Sequence, residues 1–407
     1  MAIYSLKNVV QRYDWGSPTA LPLILGKDNP SGEPWAELWM GAHPKAPSIA
    51  VDPSTGAEAP LDALISDAPA AALGEETAAR FGGVLPFLLK ILSAAKPLSI
   101  QAHPSKRKAE HGFAREEFMG IPLDAPERNY KDSNHKPETV VALTRFEGLC
   151  GFRALDDIIQ NVKLLAPSDW ERYAGRLARD PGRLELSVFF YTFISLADEE
   201  KKKHLNSARA RSGRIVETEP AGSVTSKLFS RVLTLMEAYP DDIGALAPLI
   251  LNLFELEPGQ ALNLAAGVPH AYLGGTAVEI MANSDNVLRG GLTHKHMDVP
   301  ELVSALSFES ASIEPLAPVA APDGFSLYPC DIPDYSISKA VVDGLLRTSG
   351  RAAAPEIVLC VDGSLEISAS SGASVPLPRG ASVFVTADEA EYSISGGGTA
   401  FRASVPV

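Results

Sequence analysis

Residues 85–118, LPFLLKILSAAKPLSIQAHPSKRKAEHGFAREEF, and residues 128–138, RNYKDSNHKPE, hold the densest chemistry in the chain. Leu85 to Ile100 is apolar, interrupted by Lys90, Lys96 and Pro97, and runs straight into Gln101-Ala102-His103-Pro104. Leu98 and Ile100 alternate with Ser99 and Gln101, the period of two that marks a short β-strand, bounded here by two prolines. Residues two apart on a strand share a face, so Gln101 and His103 point the same way. An amide oxygen and an imidazole make half of a zinc site. A carboxylate suits the same ion, and Glu138 closes the segment Asn134-His135-Lys136-Pro137-Glu138. A fourth donor has to come from far along the chain, and Val268-Pro269-His270-Ala271-Tyr272 offers one. The plainer alternative is a satisfied polar pair at Gln101 and His103, with His135-Lys136 in an ordinary exposed loop.

Composition bounds the class. The 407 residues are 45% hydrophobic and 21% charged, which fits a globular protein of two to three domains. A formal net charge of −14 argues against nucleic acid or an anionic membrane as partner. A phosphorylated small molecule is compatible with that charge only if basic residues gather in its pocket. Three widely spaced cysteines, Cys150, Cys330 and Cys360, imply no disulfide framework and a reducing compartment. The first residues, MAIYSLKNVVQRYDWG, lack the apolar core of a signal peptide, and nowhere do 18 apolar residues run together. A cytoplasmic monomer is the expectation.

Residues 1–50 read as short β-segments broken by Gly and Pro, with Trp35 and Trp39 packing, and His43 a structural hydrogen-bonding residue. Residues 57–82, Ala-rich at helical spacing, predict one or two surface helices. Lys106 to Glu117 alternates in charge and predicts a solvated helix or lid, with His111 exposed. Composition shifts near Gly151. ALDDIIQNVKLL, DWERYAGRLARD, DEEKKKHLNSARARSG and SKLFSRVLTLMEAYP carry helical periodicity, punctuated by Pro167, Pro181, Pro220 and Pro240. His204 and Lys201–Lys203 read as a solvated face of that module. From Leu251 strands and turns return. Val278, Ile280 and Ala282 alternate with Glu279 and Met281, so Glu279 faces either a pocket or solvent. Pro315–Pro322 reads as a Pro/Ala linker, and the rest, free of histidine, as a small metal-free β-sandwich or jelly roll.

These motifs together resemble type I mannose-6-phosphate isomerases, zinc-dependent enzymes of the cupin fold. The resemblance rests on Tyr13-Asp14-Trp15-Gly16, Ala36-Glu37-Leu38-Trp39-Met40-Gly41-Ala42-His43-Pro44 and Pro97-Leu98-Ser99-Ile100-Gln101-Ala102-His103-Pro104. It continues through Tyr130-Lys131-Asp132, Asn134 to Glu138, Pro269-His270-Ala271-Tyr272 and Met281 to Arg289, in order over roughly residues 1–310. It implies a mainly β fold with an α insertion. A cupin or jelly-roll β-sandwich catalytic domain would span 1–152 and 251–314, interrupted by an inserted helical domain at 153–250 and followed by a second cupin-like β domain at 315–407. Placing His270 with Gln101 and His103 at one metal demands the same insertion.

The resemblance implies one Zn²⁺ per chain held by Gln101, His103, Glu138 and His270. It implies reversible interconversion of mannose 6-phosphate and fructose 6-phosphate by proton transfer between C1 and C2 through a cis-enediol. Such chemistry needs the sugar oxygens held, a base, and an anchored phosphate. Arg289 is the expected cation at the reacting oxygens or the phosphate. Lys136, His135, Glu279 and Asp285 are candidates for proton transfer or ring opening. Trp15 is expected near the sugar, and Lys90 and Ser99 near the phosphate. Thr293-His294-Lys295 departs from the family's Thr-Pro-Lys, which puts that loop's shape in question, and His294 and His296 read as solvent-exposed. Two other readings compete: another metal-dependent cupin enzyme such as an Fe(II) oxygenase, against which the Gln ligand speaks, and a non-catalytic sugar-binding cupin.

Overall fold

The computed structural model describes residues 3–165, 175–348, 353–389 and 391–406. The chain is mainly antiparallel β, built as two large sheets with helices set between strands of one of them. The strand Phe87–Ala94 lies at the centre of the first sheet. It pairs with Glu37–Gly41 on one side and with His270–Ala282 on the other. All eight of its residues are buried, Lys90 included, as the nearly unbroken apolar run requires.

His270–Ala282 is the hub. Along its thirteen residues it pairs with Phe87–Ala94, Glu138–Ala142 and Phe146–Phe152, and at His270 with Gln101 of the short strand Ile100–Ala102. Ladder register therefore sets Glu138 opposite Met281, and Gln101 opposite both His270 and Arg289. Four remote segments meet on one strand.

The second sheet carries Ser336–Arg347, Glu356–Ala369, Ser382–Val385 and Tyr392–Ser404. The amino-terminal strand Ile3–Lys7 joins it, with Ile3 opposite Val385, and Ile49–Val51 and Glu58–Pro60 extend the same edge. The two sheets share a core in which Met40, Leu89 and Ile91 meet Tyr335, Ile337, Leu359, Phe384 and Phe401. The Pro/Ala stretch is no free tether. Leu316 exchanges backbone hydrogen bonds with Ala261, and Val319–Ala320 pairs with Ser326–Tyr328.

Helices fill most of 155–249: Leu155–Leu165, Arg183–Ile194, Asp198–Thr218, Val224–Ala238 and the 3₁₀ stretch Ile243–Leu249. The first residues of the predicted helix DWERYAGRLARD lie outside the described residues. Arg183–Ile194 buries Leu186, Phe189, Phe190, Phe193 and Ile194 along one face, while apolar Leu184 and Tyr191 sit exposed on the rest of its surface. His204 corrects the expectation of a solvated face: it is 1% exposed, on the stripe His204, Leu205, Ala208, Ser212, Ile215 that packs inward, while Lys202 and Lys203 stay outside.

Lys106–Phe118 is a helix capped by Ser105, whose hydroxyl accepts from the Lys108 amide. It is a buttress rather than a lid. Buried Glu116 accepts the amides of Asn129 and Tyr130 and pairs with the Arg128 guanidinium. Gly112 is a glycine because a Cβ there would lie 2.3 Å from the Tyr130 ring. The helix thereby fixes the segment Arg128–Lys131.

Candidate active site

His103, Glu138 and His270 are all buried, and one ligand atom from each lies within 4.8 Å of the others. The hydrogen bonds behind the rings decide their chemistry. His103 Nδ1 lies 2.7 Å from the Asn286 carbonyl oxygen and His270 Nδ1 3.0 Å from that of Val268. A carbonyl only accepts, so each Nδ1 carries the proton and each Nε2 presents a lone pair inward. Those Nε2 atoms face Glu138, His103 at 3.2 Å from Oε1 and His270 at 3.3 Å from Oε2. Both Nε2 atoms and Glu138 Oε2 are buried without a hydrogen-bond partner.

Burial pushes the His103 imidazolium down to about 4, so the ring is neutral at pH 7. Two imidazole lone pairs and a carboxylate converging in a dry site repel one another unless a cation lies between them. The donor set, two nitrogens and one oxygen with backbone carbonyls fixing both tautomers, fits Zn²⁺. Burial, the largest single influence, would raise the Glu138 carboxyl, but the Lys136 ammonium, 3.1 Å from Oε1, and the His103 and His270 rings together outweigh it and hold the group well below its ordinary value.

Glu138 and Gln101 also line a cavity of about 520 Å³. Its wall includes Tyr13, Trp15, Trp39, His43, Lys90, Ser99, Lys136, Glu279, Asp285 and Arg289. Eight Lys or Arg side chains line it against five Asp or Glu, reversing the balance of the whole chain, 36 against 50. The acidic protein has gathered its cations where an anionic ligand needs them.

The Tyr13–Gly16 motif reaches the cavity by a staple. The Trp15 carbonyl accepts from Ala95 and Lys96, and Gly16 bridges to Ala94 where a Cβ would lie 2.6 Å from the Ala36 nitrogen. Trp15 stacks on Tyr13 at 5.8 Å.

Lys90, on the cavity wall, is held between two buried carboxylates. Its ammonium is 3.4 Å from Glu37 Oε1 and 3.2 Å from Glu279 Oε2, over the Trp39 ring at 5.5 Å. Burial alone would lower its pKa, but Glu37 and Glu279 outweigh burial and hold it above the ordinary lysine value. Burial raises the Glu279 carboxyl, against the pull of Lys90. Tyr272 donates to Glu279 Oε1 at 2.7 Å and Trp39 Nε1 to Glu37 Oε2 at 2.7 Å. Glu279 therefore faces the pocket, not solvent. Lys90→Met is expected to destabilise the fold by about 3 kcal/mol, since Glu37 and Glu279 would be left as buried carboxylates without their shared cation. Urea unfolding measures this, and a change below about 1 kcal/mol would show the two carboxylates to be solvated or protonated instead.

Asp285 sits between Lys45 Nζ at 2.9 Å and His43 Nε2 at 3.6 Å. His43 is 4% exposed, packs edge-on to Trp39, and accepts the Lys45 amide at Nδ1. Burial lowers its pKa. Arg289 is partly buried, and burial lowers its pKa as well. No carboxylate lies within 4.0 Å of its guanidinium among the described residues. Lys295 lines the same wall, lowered first by burial and then by Arg289, and His294 is exposed at the rim.

His135 is the candidate that the structure keeps out of the cavity wall. Its Nε2 lies 2.9 Å from Asp334 Oδ2 in the carboxy-terminal part of the chain. Sequence reasoning gave no site role to His43, Glu37, Lys131 or Lys295. All four sit in or beside the motifs that carry the family resemblance, which was the signal available for them.

Comparison with known proteins agrees with this geometry. Residues 3–155 match the family model described as phosphomannose isomerase type I, catalytic domain. The mannose-6-phosphate isomerase of Salmonella typhimurium is 42% identical over 399 residues, 98% of each chain. That of Homo sapiens is 35% identical over 409 residues, 95% of this chain and 94% of the human one. Among solved structures, a zinc-bound mannose 6-phosphate isomerase superposes with a TM-score of 0.89 at 40% identity, all of both chains being covered. The Salmonella typhimurium enzyme bound to its substrate and a zinc atom gives the same values. On full-length identity of this order, the chain belongs to the type I phosphomannose isomerase family.

Proposed function

We propose that this protein is a zinc-dependent aldose–ketose isomerase that interconverts mannose 6-phosphate and fructose 6-phosphate through a cis-enediol, with one Zn²⁺ per chain. The observation that carries the reading is the pair of inward imidazole lone pairs facing the Glu138 carboxylate, set beside a cavity where cations outnumber carboxylates. His103, Glu138 and His270 would hold the metal, with Gln101, in register with His270 and on the cavity wall, as fourth donor. The bound ion supplies a Lewis acid that stabilises negative charge developing on sugar oxygens.

The remaining work falls to this chain's own side chains. Arg289 binds oxygen anions of the substrate, and Lys295 beside it, with Ser99 on the same wall, suits the phosphate. Trp15 supports the sugar. Glu279, with both oxygens engaged by Tyr272 and Lys90, positions rather than abstracts. Proton transfer between C1 and C2 falls to Lys136 or Asp285, the cavity-lining candidates that keep free valence. His135 is assigned no contact with substrate.

The chain divides into a catalytic cupin unit, 1–152 with 251–314, the helical insert 153–250, and a carboxy-terminal β unit, 315–407. The run of helices over 155–249 supports this. The amino-terminal strand Ile3–Lys7 ties the first unit to the last. We place it in the cytoplasm, on the support of three free cysteines among the described residues. No helix among those residues is long and apolar enough to cross a membrane.

A coupled assay tests the reading: fructose 6-phosphate formed from mannose 6-phosphate, before and after chelation. Activity lost on chelation and restored by Zn²⁺ is the expected result. Zinc-loaded, folded protein without turnover would move the assignment to a sugar-binding cupin.

A further inference from the structure

The metal carboxylate is gripped from behind by residues of the carboxy-terminal β unit. Glu138 opens a strand whose neighbouring side chains alternate between faces, so Glu138 turns to the metal site while Thr139 turns away from it. Thr139 is fully buried, and its hydroxyl donates to Asn263 Oδ1 at 2.8 Å. With that proton committed, the Tyr335 hydroxyl, 3.0 Å from Thr139 Oγ1, is the donor of their shared bond. Asn263, directly opposite Thr139 in the ladder, donates its amide to the Pro329 carbonyl at 3.1 Å. The relay therefore leaves the 329–335 segment, passes behind the metal strand, and returns to the same segment.

A second contact holds the other side of Glu138. Asp334 is 4% exposed and accepts from His135 Nε2 at 2.9 Å. Tyr335 is fully buried. Asp334 and Tyr335 are adjacent, so one rigid dipeptide fastens the chain three residues before Glu138 and one residue after it. Between the two fastenings lie Lys136 and Pro137, and Lys136 Nζ is itself 3.1 Å from Glu138 Oε1.

We propose that Asp334 and Tyr335 are positioning residues for the metal site: the carboxy-terminal β unit holds Glu138 in its ligating position. The proposal rests on the zinc reading above. It gives His135 a function other than chemistry on the substrate, as the near anchor of this clamp. It also gives the histidine-free carboxy-terminal unit a part in the active site without any ligand of its own. Outer contacts of this kind typically shift metal affinity by about 10–100-fold when they act directly on a ligand. Here they act through residues flanking the ligand, which places the effect at the lower end.

The test follows zinc release from the loaded full chain to a chromogenic chelator, beside thermal melting. Asp334→Ala and Tyr335→Phe are each expected to release zinc several-fold faster, and the double variant about tenfold faster or more. Asp334→Asn, which keeps an acceptor for His135, is expected to hold release within about twofold of the unmodified chain, whereas Asp334→Leu, which fills the space without an acceptor, is expected to release zinc as fast as Asp334→Ala. Val358→Ala, in the carboxy-terminal core and away from the clamp, is expected to lower the melting temperature without hastening release. Release within twofold of the unmodified chain in both Asp334→Ala and Tyr335→Phe overturns the clamp while leaving the zinc reading intact. Equal acceleration by Val358→Ala overturns it too, by showing the effect to be general loosening. An unmodified chain that retains no zinc overturns the metal reading and the clamp with it.

Discussion

Glu138→Gln is expected to leave a folded chain that no longer retains zinc and turns over mannose 6-phosphate about a thousandfold more slowly or worse. Charge sets the outcome. Glu138 is the only anion among the three convergent donors, and both of its oxygens face imidazole nitrogens that offer lone pairs. An amide of the same shape removes that charge and turns one end of the group into a donor, which a cation repels. Loss of the ion removes several kcal/mol of transition-state charge stabilisation. At about 1.4 kcal/mol per factor of ten, that is three decades or more. Lys136, left 8% exposed without its carboxylate, adds a local cost in stability. Zinc content per chain and kcat on the same preparation measure the effect. One zinc per chain with kcat within tenfold of the unmodified protein would sink the assignment of Glu138 as a ligand.

Arg289→Ala is expected to lower kcat/KM by about 100- to 1000-fold, the usual consequence of removing one preorganised group from a developing oxyanion. The guanidinium is partly buried on the cavity wall, opposite Gln101 in the ladder, with no carboxylate within 4.0 Å among the described residues. A charge desolvated without a protein partner weakens the fold by itself, and an anionic ligand compensates it on binding. The variant is therefore expected to melt at the same temperature or higher while losing activity. Arg289→Lys keeps the charge but not the planar fork, so it recovers only part of the loss. If Arg289→Ala loses stability and keeps activity, the residue belongs to the fold.

His103, Glu138 and His270, which the structure brings together, were legible chiefly through the order of the family's motifs, while strand alternation put Gln101 and His103 on one face without distinguishing a metal site from a satisfied polar pair. Lys90 was read as a phosphate contact, and the structure adds an ion-pair role that the sequence hid. A lysine in an apolar strand announces a buried cation, but its partners, Glu37 and Glu279, lie 53 and 189 residues away. His135 likewise meets a partner that the sequence could not show, Asp334, 199 residues downstream. His204 shows the opposite error. Its neighbours Lys201–Lys203 read as solvent-facing, yet one further step around a helix carries the next side chain into the core.

Periodicity by itself marked the helices within 155–249 and the strands on either side of them, because that signal lies in residues close together, whereas the metal donors were implied only by the order of motifs shared with the type I phosphomannose isomerases. Which carboxylate meets which lysine, the tautomers of His103 and His270, and the pairing of the first strand with Val385 were decided only by the tertiary structure. Those outcomes depend on ladder register and on backbone carbonyls brought in from remote segments, and a hydrogen-bond acceptor that every residue possesses leaves no mark in the sequence.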